Sequence, residues 1–322
     1  MSTVGQHEGD QVVGAGAGAG SAARLQSLDR EQRNALAEGV RAHRTLWRDA
    51  ARRLVANRMA MVGAIIIAVI VFMAIFAPIV APHHYAKQDY TVISVSPNAD
   101  HPFGTDLVGR DMLSRIIYGA RVSMLVGLGA QIIVFLIGVP IGAIAGYAGG
   151  RVDSLLMRFV DVMYAFPQLL FVILIMSALG AGLRNIFIAI GITGWVTLAR
   201  LTRAEFMAMR ERDYVLAARA SGVSGWRMIT RHMLPNALTP IIVALTFGIP
   251  QAIFTEAGLS FIGVGIKPPT PSWGQMVGEY FPYLNAYWFL AVIPACAIGL
   301  VMFAFTFFGD GLRDALDPRM RR

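Results

Sequence analysis

The chain has 322 residues, 56% of them hydrophobic, and a mean hydropathy of +0.56. This composition is too apolar for an ordinary soluble domain, so the expected solvent is a bilayer, crossed by spans of roughly 20 apolar residues. The formal charge of +8 does not indicate nucleic-acid binding, because the arginines flank apolar runs instead of forming one basic patch. The single cysteine, Cys296, excludes a disulfide within the chain.

The first part of the chain is low in complexity. Residues 14–23 are almost entirely Gly and Ala, a composition that buries too little apolar surface to fold. Residues 1–45 are therefore predicted to be a disordered or weakly helical N-terminus, and residues 46–120 a first transmembrane helix with an outer loop. Residues 121–309 are predicted to form a transmembrane core, and residues 310–322 a basic tail.

Six apolar stretches predict an all-α membrane protein with six transmembrane helices. They cover residues 59–80, 122–148, 159–179, 185–201, 237–257 and 287–308. The second stretch carries Gly138, Gly142 and Gly146 at every fourth position, which places them on one helix face. Because the spacing repeats, close helix packing is favoured over the alternative of a merely flexible helix.

The distribution of arginine and lysine predicts the orientation of these spans. With the N-terminus inside, the inner segments hold 22 of these residues and the outer segments hold six. Both termini are therefore expected in the cytoplasm, together with the polar stretch between the fourth and fifth spans.

That polar stretch, residues 213–235 and called here the bent segment, predicts two short helices. Its alanine-rich first half favours a helix, and Gly222 then permits a turn with positive φ. A second helical pattern follows and meets Pro235, which ends it or opens the next helix. The shape suggests a plug for a partner protein. The alternative, which periodicity alone favours, is an ordinary amphipathic loop.

The sequence offers no nucleotide or catalytic site. The phosphate-binding loop requires Gly-Lys-Ser or Gly-Lys-Thr, whereas the two lysines, Lys87 and Lys267, follow Ala86 and Ile266. The six histidines lack the spacing of a helical metal site. We therefore expect a chain without catalytic residues, metal or cofactor of its own.

The bent segment resembles the EAA loop of ABC importer permeases, which reads Glu-Ala-Ala, three residues, Gly, nine residues, Ile, one residue, Leu-Pro. Five positions match in register: Ala217, Ala218, Gly222, Leu234 and Pro235. Leu216 replaces the Glu and His232 replaces the Ile, which leaves a charge contact at Leu216 without support.

Three further stretches are similar to the oligopeptide, dipeptide and nickel importer family. Residues 101–115 resemble its His-Pro-x-Gly-Thr-Asp-x-x-Gly-Arg-Asp segment. Residues 259–274 resemble the segment before its last span, and residues 309–319 resemble its C-terminal tail. From about residue 46 to the end, the chain is identified as the second permease subunit of that family.

The resemblance implies a type I ABC importer permease in a bacterial or archaeal plasma membrane. Its implied partners are a homologous permease subunit, two cytoplasmic ATPase subunits that bind ATP and Mg, and an extracytoplasmic substrate-binding protein. The bent segment would contact an ATPase, with Val215 adding apolar contact. The residues expected to make or shape this contact are Asp213, Tyr214, Leu216, Ala217, Ala218, Gly222, Trp226, Leu234 and Pro235.

The substrate path is marked more weakly. Glu256 is expected either to be functional, with a partner, or to cap a following helix near Leu259. Phe261 and Trp273 belong to an expected outer cover that gates the path and docks the binding protein. The expected cargo is a di- or oligopeptide, with nickel or another small solute as the alternative. An ATP-independent secondary transporter or channel is the competing class, although the spans carry few charges and no clear repeat.

Overall fold

The computed structural model describes residues 49–316, so the predictions for residues 1–45 and for the end of the basic tail lie outside the described residues. The chain divides into two units, residues 1–53 and residues 54–322. Of the first unit the structure describes residues 49–53, which are helical.

The second unit is built from α-helices, which confirms the predicted all-α class. Within residues 54–316 it has no β-strand, and an isolated bridge joins Thr105 to Asp111. A 3-10 turn spans Phe281–Tyr283. The helices are α1 Arg58–Val80, α2 Met112–Ala148, α3 Gly150–Ala165, α4 Gln168–Leu179, α5 Leu183–Arg210, α6 Asp213–Ala220, α7 Gly225–Phe261, α8 Trp273–Tyr280 and α9 Trp288–Leu316.

Within the described residues, five helices are long and apolar enough to cross a membrane, namely α1, α2, α5, α7 and α9. The pair α3 and α4 makes a sixth span if it is counted as one, but it is bent by 85°. The predicted third span is therefore not a straight helix. Phe166 is extended, with ψ of 128°, because proline disfavours the helical conformation of the residue before it.

Several helices are longer than the apolar stretches that predicted them, because helix ends are set by caps as well as by apolarity. α2 begins at Met112, where the Asp111 carboxylate accepts the Ser114 N–H at 2.8 Å. α5 continues to Arg210. α9 continues to Leu316, so the first part of the predicted tail is helical.

α2 and α5 approach each other closely along the glycine face of α2. A Cβ added to Gly138 would lie 2.9 Å from the carbonyl oxygen of Trp195, and one added to Gly146 would lie 2.6 Å from that of Arg203. Gly142 is still more confined by the α5 backbone. Glycine at these positions therefore permits a separation of the two helices that any side chain would increase.

The loop before the last span contains a packed helix, α8. Trp273, Met276 and Tyr280 are buried in a core shared with α2, α7 and α9. This part of the chain is thus an ordered layer over one end of the spans.

Candidate functional site

The bent segment consists of α6, a glycine turn and the first turns of α7. Gly222 has φ of +77°, a conformation that glycine adopts without strain. Its N–H donates to the Arg219 carbonyl at 3.0 Å, and the Val223 N–H donates to the Ala218 carbonyl at 3.2 Å. These bonds close the C-terminal end of α6 in the manner of a Schellman motif. The predicted bend at Gly222 is present.

The second half of the bent segment is not a separate short helix. It contains a π-helical turn, Met228–Met233, which leads directly into the α-helix Leu234–Phe261. Pro235 lies in the first turn of that α-helix, where its missing N–H is tolerated. The bent segment therefore forms one continuous element with a membrane-spanning helix.

One face of the bent segment packs into the chain's own hydrophobic core. Val215, Met228 and Met233 are fully buried in a cluster that includes Phe206 and Met209 of α5. The expectation that Val215 contacts a partner is wrong, because its side chain has no exposed surface.

The outward face carries three large apolar side chains. Tyr214, Leu216 and Trp226 are 39%, 48% and 72% exposed. The remaining candidate contact residues are exposed or half-buried, at Asp213, Ala217, Ala218, Gly222, Leu234 and Pro235. Exposed large apolar side chains of this kind favour a protein–protein contact.

Tyr147, near the C-terminal end of α2, supports both halves of the bent segment. The Arg219 guanidinium lies 5.6 Å from the centre of the Tyr147 ring. A Cβ added to Gly225 would lie 3.2 Å from the same ring. The bent segment is thus fixed to α2 as well as to α5 and α7.

A cavity of about 310 Å³ lies between α2, α4, α5 and α7. α5 lines this cavity and ends at Arg210, three residues before the bent segment begins at Asp213. The bent segment continues into α7, which lines the cavity on another side. The bent segment is therefore connected in sequence to two walls of the cavity.

Glu256 is buried near the end of α7 and joins that helix to α8. Its Oε1 accepts hydrogen bonds from the hydroxyls of Ser260 and Ser272, each at 2.7 Å. Ser272 is the N-cap of α8 and accepts the Gln275 N–H at 3.0 Å. The alternative that Glu256 caps a helix starting near Leu259 is wrong, because α7 runs through that position to Phe261.

Trp273 lies in the core, where it is 1% exposed and its indole N–H donates to the Ile116 carbonyl at 3.0 Å. This corrects the expectation of a direct docking contact, because a buried indole offers no surface to a partner. Phe261 is 46% exposed and packs edge-to-face with Phe281, with ring centres 5.4 Å apart.

A buried ionic network joins the outer loop to α8. The Tyr280 hydroxyl donates to Asp106 Oδ2 at 2.8 Å, and Arg110 donates to Glu279 at 3.0 Å and to the Tyr280 oxygen at 3.3 Å. Arg115, fully buried, lies 3.8 Å from Asp106 and 3.6 Å from Glu279. Burial raises the pKa of the Tyr280 phenol, so it keeps its proton.

The network was not predicted from the sequence, where residues 101–115 indicated only a resemblance to a family motif. The available signal was the density of Asp and Arg in residues 106–115.

Comparison with known proteins identifies the family. A family model described as "Binding-protein-dependent transport system inner membrane component" matches residues 138–322. A second, described as "N-terminal TM domain of oligopeptide transport permease C", matches residues 45–98.

Curated relatives match along most of the chain. The dipeptide transport system permease protein DppC of Bacillus subtilis is 44% identical over 294 residues, which are 91% of this chain and 92% of that protein. The oligopeptide transport system permease protein OppC of the same organism is 44% identical, with 86% of this chain and 91% of that protein covered. OppC of Escherichia coli K12 is 36% identical, with 86% and 93% covered.

A solved structure shares the fold. It is an inward-facing conformation of the MetNI methionine ABC transporter, with a TM-score of 0.53, 16% identity and coverage of 64% of this chain and 98% of that chain. The fold and the sequence matches agree with the motifs described above. The chain is a permease subunit and belongs to the family of inner membrane components of binding-protein-dependent transport systems.

Proposed function

We propose that the chain imports di- and oligopeptides as one half of the transmembrane pathway of an ATP-driven transporter. The observation that supports a peptide substrate is the sequence identity of 36–44% to permeases named for dipeptide and oligopeptide transport, over 86–91% of the chain. A homologous permease subunit would form the other half.

The bent segment is the proposed contact with a cytoplasmic ATPase subunit. Its exposed Tyr214, Leu216 and Trp226 would enter a groove of the ATPase, while buried Val215 keeps the segment attached to the permease core. Full burial of a large apolar side chain contributes roughly 1.5–3 kcal/mol, and these partly exposed side chains would each contribute a fraction of that value. ATP and Mg would be bound by the ATPase alone, and this chain would have no catalytic role.

Transport would follow from rigid-body movement. Closure of the two ATPases on ATP would displace the bent segment, and α5 and α7 would carry that displacement to the cavity, switching the pathway between inward- and outward-facing states. The covalent continuity of the bent segment with both helices supports this route.

The outer surface is the proposed docking site for the substrate-binding protein. Phe261 provides exposed apolar surface there, and Glu256 and Trp273 would act indirectly by holding α8 in position. The excess of arginine on the opposite side supports cytoplasmic termini in a bacterial plasma membrane.

Reconstitution of the complete complex in proteoliposomes tests this function. Dipeptide uptake that requires ATP and the binding protein, and that vanadate inhibits, is the expected result. Uptake of nickel in place of peptide would overturn the proposed cargo. Peptide uptake that persists without ATPase subunits would instead indicate a secondary transporter or channel.

A further inference from the structure

The cavity between α2, α4, α5 and α7 carries polar groups deep within the spans. Its polar lining residues are Gln131, Gln168, Thr197, Gln251 and Thr255. Gln131 and Thr197 lie near the middle of α2 and α5. At 1.5 Å per residue they are about 20 to 30 Å from either helix end, near the centre of the hydrocarbon core.

Two of these side chains form hydrogen bonds within the chain. Gln131 Nε2 donates to a carbonyl of α7 at 3.0 Å, and the Thr255 hydroxyl donates to the Gln251 carbonyl at 2.8 Å. Within residues 49–316, the side chains of Gln168, Thr197 and Gln251 form no hydrogen bond. All three residues are exposed. Three polar groups at this cavity are therefore available to a ligand or to water.

Lipid is an unsuitable neighbour for this wall. An amide or hydroxyl without a hydrogen bond is strongly destabilised in an apolar medium. The exposed surface of α1 shows the contrasting pattern, with apolar side chains such as Ile65, Val69 and Phe72. The cavity wall thus requires water or a polar ligand in front of it.

We infer that Gln168, Thr197 and Gln251 form a subsite that hydrogen-bonds the backbone of a peptide in transit. A primary amide donates and accepts, as does a hydroxyl, so together they match the N–H and C=O of a peptide group. The inference rests on the proposed peptide import and adds the residues that contact the cargo.

The composition of the wall also fits cargo of varied sequence. The lining residues are uncharged amides and hydroxyls, apolar side chains and two glycines. Such a wall holds the backbone, which all peptides share, without selecting for charged side chains. A divalent metal ion is recognised instead by imidazole, thiolate or carboxylate ligands.

Substitution of the three side chains tests the subsite in the complete reconstituted complex. The triple variant Gln168→Leu, Thr197→Val, Gln251→Leu is expected to lower peptide uptake by at least about tenfold, the effect of losing one or more net hydrogen bonds. The triple variant should still co-purify with the ATPase subunits as wild type does, which shows that the loss of uptake does not come from misfolding.

Thr306→Val is the matched control, because Thr306 is exposed on another span and its hydroxyl is already bonded to the Met302 carbonyl at 2.8 Å. Wild-type uptake by the triple variant would overturn the subsite and leave the proposed function standing. No peptide uptake by the wild-type complex would overturn the proposed function itself.

Thiol accessibility gives a second readout that does not depend on transport. In a Cys296→Ala background, Thr197→Cys should react with a membrane-impermeant thiol reagent, and peptide with its binding protein should slow that reaction. Ile65→Cys on α1 should stay unreactive. Equal reactivity at the two positions, or no protection by peptide, would contradict the subsite.

Discussion

At the scale of single residues, Tyr280 occupies the centre of the outer ionic network. It donates to Asp106 at 2.8 Å and accepts from Arg110, so it joins the outer loop to α8. Its ring is fully buried. The phenol therefore contributes both packing and a hydrogen bond to a buried carboxylate.

Tyr280→Phe should lower the stability of the purified complex by about 1–3 kcal/mol, because it keeps the ring but removes one of the hydrogen bonds to the buried Asp106 carboxylate, which still accepts from Arg110. Thermal unfolding in detergent measures this effect. Tyr283→Phe, at a 44% exposed position, serves as the control and should change little. Equal unfolding temperatures for the two variants would contradict the role of the network.

The pH dependence of that difference follows from the raised pKa of Tyr280. A raised folded-state pKa stabilises the protein below the unfolded tyrosine pKa of about 10, and this contribution is lost as pH rises through the folded pKa. The difference in unfolding free energy between wild type and Tyr280→Phe should therefore be constant between about pH 6 and 9 and should decrease only in stronger alkali.

At the scale of elements, the bent segment depends on one backbone conformation. The space around the Gly222 Cα is open, so its positive φ, and not crowding, requires glycine. Replacement by a residue that tolerates positive φ should preserve the bend, whereas proline is locked near −65° and also loses the N–H that bonds to Arg219.

Gly222→Pro should abolish ATPase stimulation by the binding protein, with a loss of at least about tenfold, while membrane insertion survives. Gly222→Asn should stay close to wild type, because asparagine tolerates the left-handed region. Ala218→Arg, which places a long charge at the half-buried face of α6, should behave like the proline variant. Coupling that is normal in Gly222→Pro would contradict the assignment of the bent segment.

The elements also show which features a sequence can predict. The spans, the bend at Gly222 and the glycine repeat of α2 were predictable because apolarity, turn chemistry and helical spacing are local properties. The break at Pro167 could have been predicted, since proline disfavours the helical conformation of the residue before it. The burial of Val215 and Trp273 could not be predicted from the sequence, because each side chain contacts residues distant in sequence. The ion network joins residues 106–115 to α8 and depends on tertiary structure for the same reason.

At the scale of the whole second unit, two sites are joined by two helices. α5 and α7 line the polar cavity, and both connect to the bent segment, which is itself held by Tyr147 of α2. Under the proposed function, this connection would carry ATPase movement to the pathway, and it predicts that the exposed tip of the bent segment contacts an ATPase subunit.

The most direct test is cross-linking from Trp226→Cys in the Cys296→Ala background. Trp226 is 72% exposed on the bent segment, and Ile262→Cys, 58% exposed just beyond α7, is the matched control. With a short thiol-to-amine cross-linker, Trp226→Cys should form an adduct with an ATPase subunit, and Ile262→Cys should form none. An absent Trp226→Cys adduct, or labelling of that cysteine from the external face of sealed vesicles, would contradict the proposed coupling.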